Sequence, residues 1–261
     1  MPVLEVVREE NICWLRLNRP EVRNAWTAEM GDAVTAQIEI ISRDDTIRAV
    51  VITGNGKGFC SGVDVRGHFD VDAEGVTDLR GMHHRRFMPA VLALRRLPKP
   101  VICAVNGASV GYGCSIAMAS DFVLMAKSAV MIFAFVKLGL LPDGGATAML
   151  IERVGPLRAT GIAMLGEDIT ADHALALGLV NSVVADDGLE AAALALAQRL
   201  AAGPTRAYGA IKEAVQAWSA DTLSRQMERE GDLLQRLSTT HDFTEGKSSF
   251  VERRTERFTG S

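Results

Sequence analysis

The residue order predicts an α/β fold with mainly parallel strand pairing, and three stretches carry that reading. "AVVIT" (49–53) is a short, wholly apolar run that feeds the glycine-rich "GNGKGFCSG". "VICAV" (101–105) feeds "NGASVGYG" in the same way, and "DFVLMA" (121–126) follows a short helix. Runs apolar on both faces are typical of strands buried in a parallel sheet. Three repeats of strand followed by glycine loop or helix therefore argue for successive βα-type units.

The other elements follow in order. "VLEVVREENICWLRLNRP" reads as a hairpin, with strands Val3–Val7 and Ile12–Leu17 around a polar turn. Thr27 is a candidate N-cap, and the helix it opens sets Met30, Val34, Ile38 and Ile41 on one face. A long helix is predicted from about 75 to 97, ended by "PKP" because proline cannot continue a helix. "ITADHALALGLV" reads as a helix stopped by Gly178, and "LVNSVV" as a last strand. Beyond Gly188 the chain is rich in Ala, Leu, Arg and Glu, which gives three or four amphipathic helices to residue 257. No low-complexity block intervenes, so the division is an α/β core at 1–190 and a helical C-terminal region at 191–261.

Bulk properties narrow the function classes. A chain of 261 residues, 48% hydrophobic and 23% charged, forms one larger domain or a domain with an appendage. A net charge of -4 gives no electrostatic reason to expect nucleic acid or an anionic membrane as partner. "MPVLEVVREE" lacks the apolar centre of a signal peptide, and no uncharged apolar run is long enough to span a bilayer. Cys13, Cys60, Cys103 and Cys114 show neither C-x-x-C nor metal-ligand spacing, and three lie in apolar runs. They read as buried, reduced thiols of a cytoplasmic protein that holds no metal.

The glycine loops carry the chemistry. "GNGKGFCSGVDV" lacks the Gly-Lys-Ser/Thr ending of a P-loop, and "NGASVGYGC" misses G-x-G-x-x-G, so no dinucleotide site is expected. Glycines admit a ligand close to the backbone, and a helix N-terminus offers free N–H groups. Two such groups converging on one point make an oxyanion hole. On glycines alone, simple tight turns are the stronger reading.

Taken in order, "LNRPEVRNAW", "GNGKGFCSGVDV", "PKPVICAVNGASVGYGCSIAMASDF", "LGLLPDGGAT", "ITADHALALGLVN" and "TEGKSSFVERRTERF" resemble the crotonase family, also called the enoyl-CoA hydratase/isomerase superfamily. The resemblance covers nearly the whole chain. It implies a spiral of ββα units with a helical C-terminal trimerisation region, assembled as a homotrimer or a dimer of trimers. It also implies an acyl-CoA thioester substrate, with coenzyme A part of the substrate and no separate cofactor. The thioester oxygen would become an enolate held by the backbone N–H groups of Val63 and Tyr112. Arg23 and Arg66 match positions that contact the phosphates of coenzyme A, a task that suits the guanidinium fork. Asp64 is expected to stabilise its loop.

Which reaction follows depends on acid/base groups. Hydratases of the family use two glutamates, and the matching positions here hold Ser115 and Phe135, expected with Leu140 to line the substrate pocket. Asp143, in "LGLLPDGGAT", stands where some isomerases and dehalogenases of the family carry a catalytic aspartate. Desolvation by Phe135, Leu140 and Leu141 should raise its pKa toward that of a useful base. Double-bond isomerisation with Asp143 as acid/base is the leading expectation. Hydration by non-standard groups, and acyl-CoA binding with little catalysis, are the alternatives. Dehalogenation lacks a tryptophan at 135, and His83 and His84, beside Arg85 and Arg86, read as a polar helix face. The stretch from Gly67 to Arg86 is expected to form a mobile wall of the acyl pocket.

Overall fold

The computed structural model describes residues 1–67, 69–71, 75–217 and 219–261. The chain opens with the expected hairpin: β1 (Leu4–Glu9) runs antiparallel to β2 (Ile12–Leu17), with Leu4 opposite Leu17. β3 (Ala49–Gly54) and β4 (Gly58–Cys60) bracket the start of the first glycine-rich stretch. β5 (Val101–Val105) and β6 (Ala108–Val110) bracket the start of the second. β7 (Phe122–Ala126), β8 (Val130–Ile132), β9 (Asp168–Thr170) and β10 (Ser182–Val184) complete the set.

These strands divide between two sheets. The order β1-β2-β3-β5-β7-β10 forms one sheet, parallel from β2 onward, and β4-β6-β8-β9 forms the other, parallel except at β9. Each successive turn of the chain adds one strand to each sheet, and helices cover the outside. This is the ββα spiral, and its second sheet is built from strands of only three residues. Three residues are too few for an alternation of apolar and polar side chains to register, so the sequence reading found the first sheet alone.

Thr27 caps α1 (Ala28–Arg43): its hydroxyl accepts from the Met30 N–H at 3.2 Å. The buried stripe of α1 includes the four expected residues, Met30, Val34, Ile38 and Ile41. The helix expected from 75 starts later, because the Asp78 carboxylate accepts from the Gly81 N–H at 2.8 Å and caps α2 (Leu79–Met82). His83–Phe87 then wind as a π-helix into α3 (Met88–Arg96). Irregular turns of this kind leave backbone groups open to other partners. Here the Phe87 carbonyl accepts the Tyr112 hydroxyl at 2.5 Å.

α4 (Tyr112–Ala119) follows the second glycine loop, and α5 (Ala146–Leu165) follows "LPDGG". Thr170 caps α6 (Ala171–Ala176), and Gly178 ends that turn with φ at +76°. Among the described residues, the C-terminal region holds four helices: α7 (Leu189–Ala202), α8 (Thr205–Ala217), α9 (Ala220–Leu237) and α10 (His241–Glu252). α7 packs on β3, β5 and β7, whereas α9 packs against α2 and α5. All four cysteines are free and buried. Burial pushes the Cys60 thiol up to about 12, which leaves it inert at neutral pH. Among the described residues, no helix is long and apolar enough to cross a membrane.

The helix packing corrects one expectation. His83 is not on a polar face but fully buried beneath α9, with Nε2 3.1 Å from the Met227 carbonyl. A helix's own periodicity cannot reveal a second helix laid across it. Burial, then the neighbouring His84, push the His83 imidazole down from 6.5 to about 4. The unfolded chain takes up this proton near pH 6.5, while the folded chain resists until about pH 4. Stability is therefore lost as pH falls through that window, by on the order of 3 kcal/mol for the full shift. Denaturant melts at about pH 7 and about pH 4.5 should show His83→Gln losing less stability on acidification than the native chain. Equal losses would exclude His83 as the cause.

Candidate active site

The first motif pins the first glycine loop. Asn24 is buried in the left-handed region, φ +57°. Its side-chain amide donates to the carbonyls of Asn55 and Gly58 at 3.0 and 2.8 Å, and its Oδ1 accepts from the Arg19 N–H at 2.8 Å. Downstream, the Trp26 N–H donates to Gly62 at 2.7 Å, and the Asp64 N–H donates to Trp26 at 2.9 Å. Both bonds of this isolated parallel bridge belong to Trp26, so the Val63 N–H turns the other way. Tyr112 is the first residue of α4, so its N–H has no carbonyl one turn back to bond.

The two loops touch. A Cβ built on Gly62 would lie 3.0 Å from the Val110 carbonyl oxygen. One built on Gly113 would lie 2.7 Å from the Cys60 carbonyl oxygen. Only glycine allows backbones this close, and the approach brings Val63 and Tyr112 to one cavity of about 140 Å³. The Tyr112 ring packs edge-on to Trp26 and tilted on Phe87, with centroids 5.0 and 5.1 Å apart. Its hydroxyl is committed to the Phe87 carbonyl, which leaves the backbone N–H as its group at the site.

Asp143 lines the same cavity, with Phe135 and Leu140 beside it. The side chain is 6% exposed, and its Oδ1 has no hydrogen-bond partner. Burial, then the nearby Glu230 carboxyl, hold the Asp143 carboxyl well above the usual carboxylate range. Ser115 does not line the cavity. It sits behind the Asp143 turn, where its hydroxyl donates to the Asp143 carbonyl at 2.8 Å. The site thus combines the backbone of two glycine-rich loops, an apolar wall and one buried carboxyl whose Oδ1 has no partner.

Residues 7–261 match the family model described as enoyl-CoA hydratase/isomerase. The chain belongs to that family. The 1,2-epoxyphenylacetyl-CoA isomerase of Escherichia coli is 41% identical over 253 residues, 97% of this chain and 96% of that one. A probable enoyl-CoA hydratase of Rhodobacter capsulatus is 39% identical, covering 96% of this chain and 95% of its own length. The crystal structure of an enoyl-CoA hydratase from Mycobacterium avium subsp. paratuberculosis superposes with a TM-score of 0.89 at 34% identity, covering 98% of each chain. Hydratase and isomerase names both occur among these relatives.

Within this enoyl-CoA hydratase/isomerase chain, the remaining residues fall as follows. Asp64 accepts from Arg19 at 3.0 Å and from the backbone and side chain of Arg66 at 3.3 Å, which ties its loop together. Arg66 is exposed beyond that pair. Arg23 is exposed as well and makes no ion pair among the described residues. The expectation of a mobile wall from 67 to 86 falls in part on residues 68 and 72–74, which lie outside the described residues. Phe69, Leu79 and Met82 of that stretch line the cavity. Arg85 and Arg86 are held by Asp70, at 3.0 and 2.7 Å.

Sequence reasoning missed what the C-terminal helices contribute. Leu234 of α9 and Phe243, Lys247 and Phe250 of α10 close the cavity. Glu230 of α9 was missed too, although a signal existed. Leu223, Met227 and Leu234 form a helical stripe, and Glu230 stands in register with it as an acid among apolar positions.

The close approach of the loops is testable. Gly113→Ala must push Cys60 and α4 apart and so misplace the Tyr112 N–H. For a backbone donor of an oxyanion hole, the expected role of that N–H, such a loss costs about 10²–10³ in kcat. The substituted protein should keep its near-UV circular dichroism and fall in kcat by that order. Unchanged turnover would remove Tyr112 N–H from the reaction.

Proposed function

We propose that this protein shifts the double bond of an apolar enoyl-CoA, with Asp143 as the single acid/base. The observation that carries the reading is the buried Asp143 carboxyl, its Oδ1 without a partner, on a cavity that Val63, Tyr112 and Phe135 also line; the family resemblance adds that Ser115 and Phe135 stand where hydratases carry glutamates. The Asp143 carboxylate takes a proton from the α carbon of a 3-enoyl thioester. The electron pair moves onto the thioester oxygen, and the two N–H groups hold the resulting enolate. Asp143 then returns the proton at the γ carbon, which gives the 2-enoyl thioester and restores the carboxylate. A raised pKa makes the carboxylate a stronger base than an ordinary aspartate.

Supporting features define the substrate. Phe69, Phe87, Phe135 and Leu140 line an apolar acyl pocket, and Arg23 and Arg66 hold the phosphates of coenzyme A. No cofactor beyond the substrate's own coenzyme A takes part, and the enzyme works in the cytoplasm. The same proposal includes assembly as a homotrimer or dimer of trimers. It is supported by exposed Leu157 and Met164 on α5 and exposed Ile211 and Val215 on α8, apolar surface that association would bury.

Incubation with 2-enoyl-CoA and 3-enoyl-CoA in deuterated water separates the readings. Isomerisation moves the double bond, and Asp143→Asn should slow it by about 10²–10⁴. A 3-hydroxyacyl product would favour hydration, the reading suggested by the Rhodobacter relative's name. Tight coenzyme A binding without turnover would favour a binding protein. Light scattering should give three or six times the 28.0 kDa of one chain, and a monomer would overturn the assembly.

A further inference from the structure

The backbone N–H groups that follow Asp143 in sequence are bonded to another residue. An aspartate commonly folds back on the N–H two residues ahead, and the first turn of a helix offers further unbonded N–H groups. Here those are Gly145 and Thr147, and both are taken from another part of the chain. Glu230 of α9, itself fully buried, accepts from the Gly145 N–H at 2.7 Å, the Thr147 N–H at 3.1 Å and the Thr147 hydroxyl at 2.5 Å. Gln226 donates to the same hydroxyl at 2.7 Å and steadies it. Gly145, the N-cap of α5, has no side chain of its own to offer, so Glu230 caps the helix in its place.

We propose that Glu230 is a positioning residue: by occupying the N–H groups of Gly145 and Thr147, it leaves the Asp143 carboxylate unbonded and turned to the cavity. This rests on Asp143 as the acid/base. A second effect is electrostatic, because two buried carboxyl groups resist being ionised together. Burial, then Glu230, raises the Asp143 carboxyl, and burial pushes Glu230 itself up to about 7. Among the described residues, the other titratable groups on the cavity lining with Asp143 are the Tyr112 phenol on α4, Lys137 and Lys247. None of them bonds to Asp143 Oδ1.

Glu230→Gln keeps an acceptor oxygen for the helix end but removes the charge, and Glu230→Ala removes both. Carboxyl ¹³C NMR, with the Asp143 resonance identified by its loss in Asp143→Asn, reads the titration directly. In Glu230→Gln the midpoint should fall, and the acidic limb of kcat should move down by about one pH unit. In Glu230→Ala the freed N–H groups capture Asp143, and kcat should fall about tenfold or more at unchanged KM. If Glu230→Ala does not fold, Glu230→Gln carries the test alone. A folded Glu230→Ala with unchanged kcat overturns the positioning role, and a folded Glu230→Gln with an unchanged midpoint and pH profile overturns the electrostatic one. If Asp143→Asn keeps isomerase activity, the functional reading fails, while the NMR midpoint still decides whether Glu230 acts on Asp143.

Discussion

The parallel pairing of β3 with β5 is the constraint on which the site depends. Val50 to Thr53 stand level with Val101 to Ala104, so both strands end at the same edge of the sheet. A parallel ladder sends both chains off in the same direction, and the two glycine-rich connections therefore leave side by side. The Thr53 hydroxyl donates to the Ala104 carbonyl at 2.8 Å and locks the two exits together. β4 and β6 then pair as the next layer, and only after that do Val63 and Tyr112 arrive at one cavity. An antiparallel arrangement would put the loops at opposite edges, with no common target for their N–H groups.

What was legible in the sequence was whatever is written in local periodicity. The α1 stripe, the hairpin and the three apolar strands needed nothing from elsewhere in the chain. The second sheet escaped because its strands are shorter than any period they could display. α5 escaped because its pattern is mixed and carries Pro156 inside it. His83 was misjudged because α9, more than a hundred residues later, buries it. At the site, Asp143, Val63 and Tyr112 came from the glycine loops and the family resemblance, and Phe135 and Leu140 took their places on the wall. Ser115 fell behind the turn, since its hydroxyl had a nearer acceptor in the Asp143 carbonyl. The register of Glu230 with an apolar stripe was visible, but what it bonds was not, because its partners lie 83 and 85 positions away.

That separation has a consequence for when the protein acquires its chemistry. α5 and its aspartate leave the ribosome well before α9, and until α9 docks the Asp143 carboxyl lacks both its cover and its neighbouring charge. A chain at that stage has Asp143 without the Glu230 carboxyl beside it and without the α9 and α10 residues that close the cavity. The cavity is thus completed only by the last helices of the chain, however well its first sheet has formed.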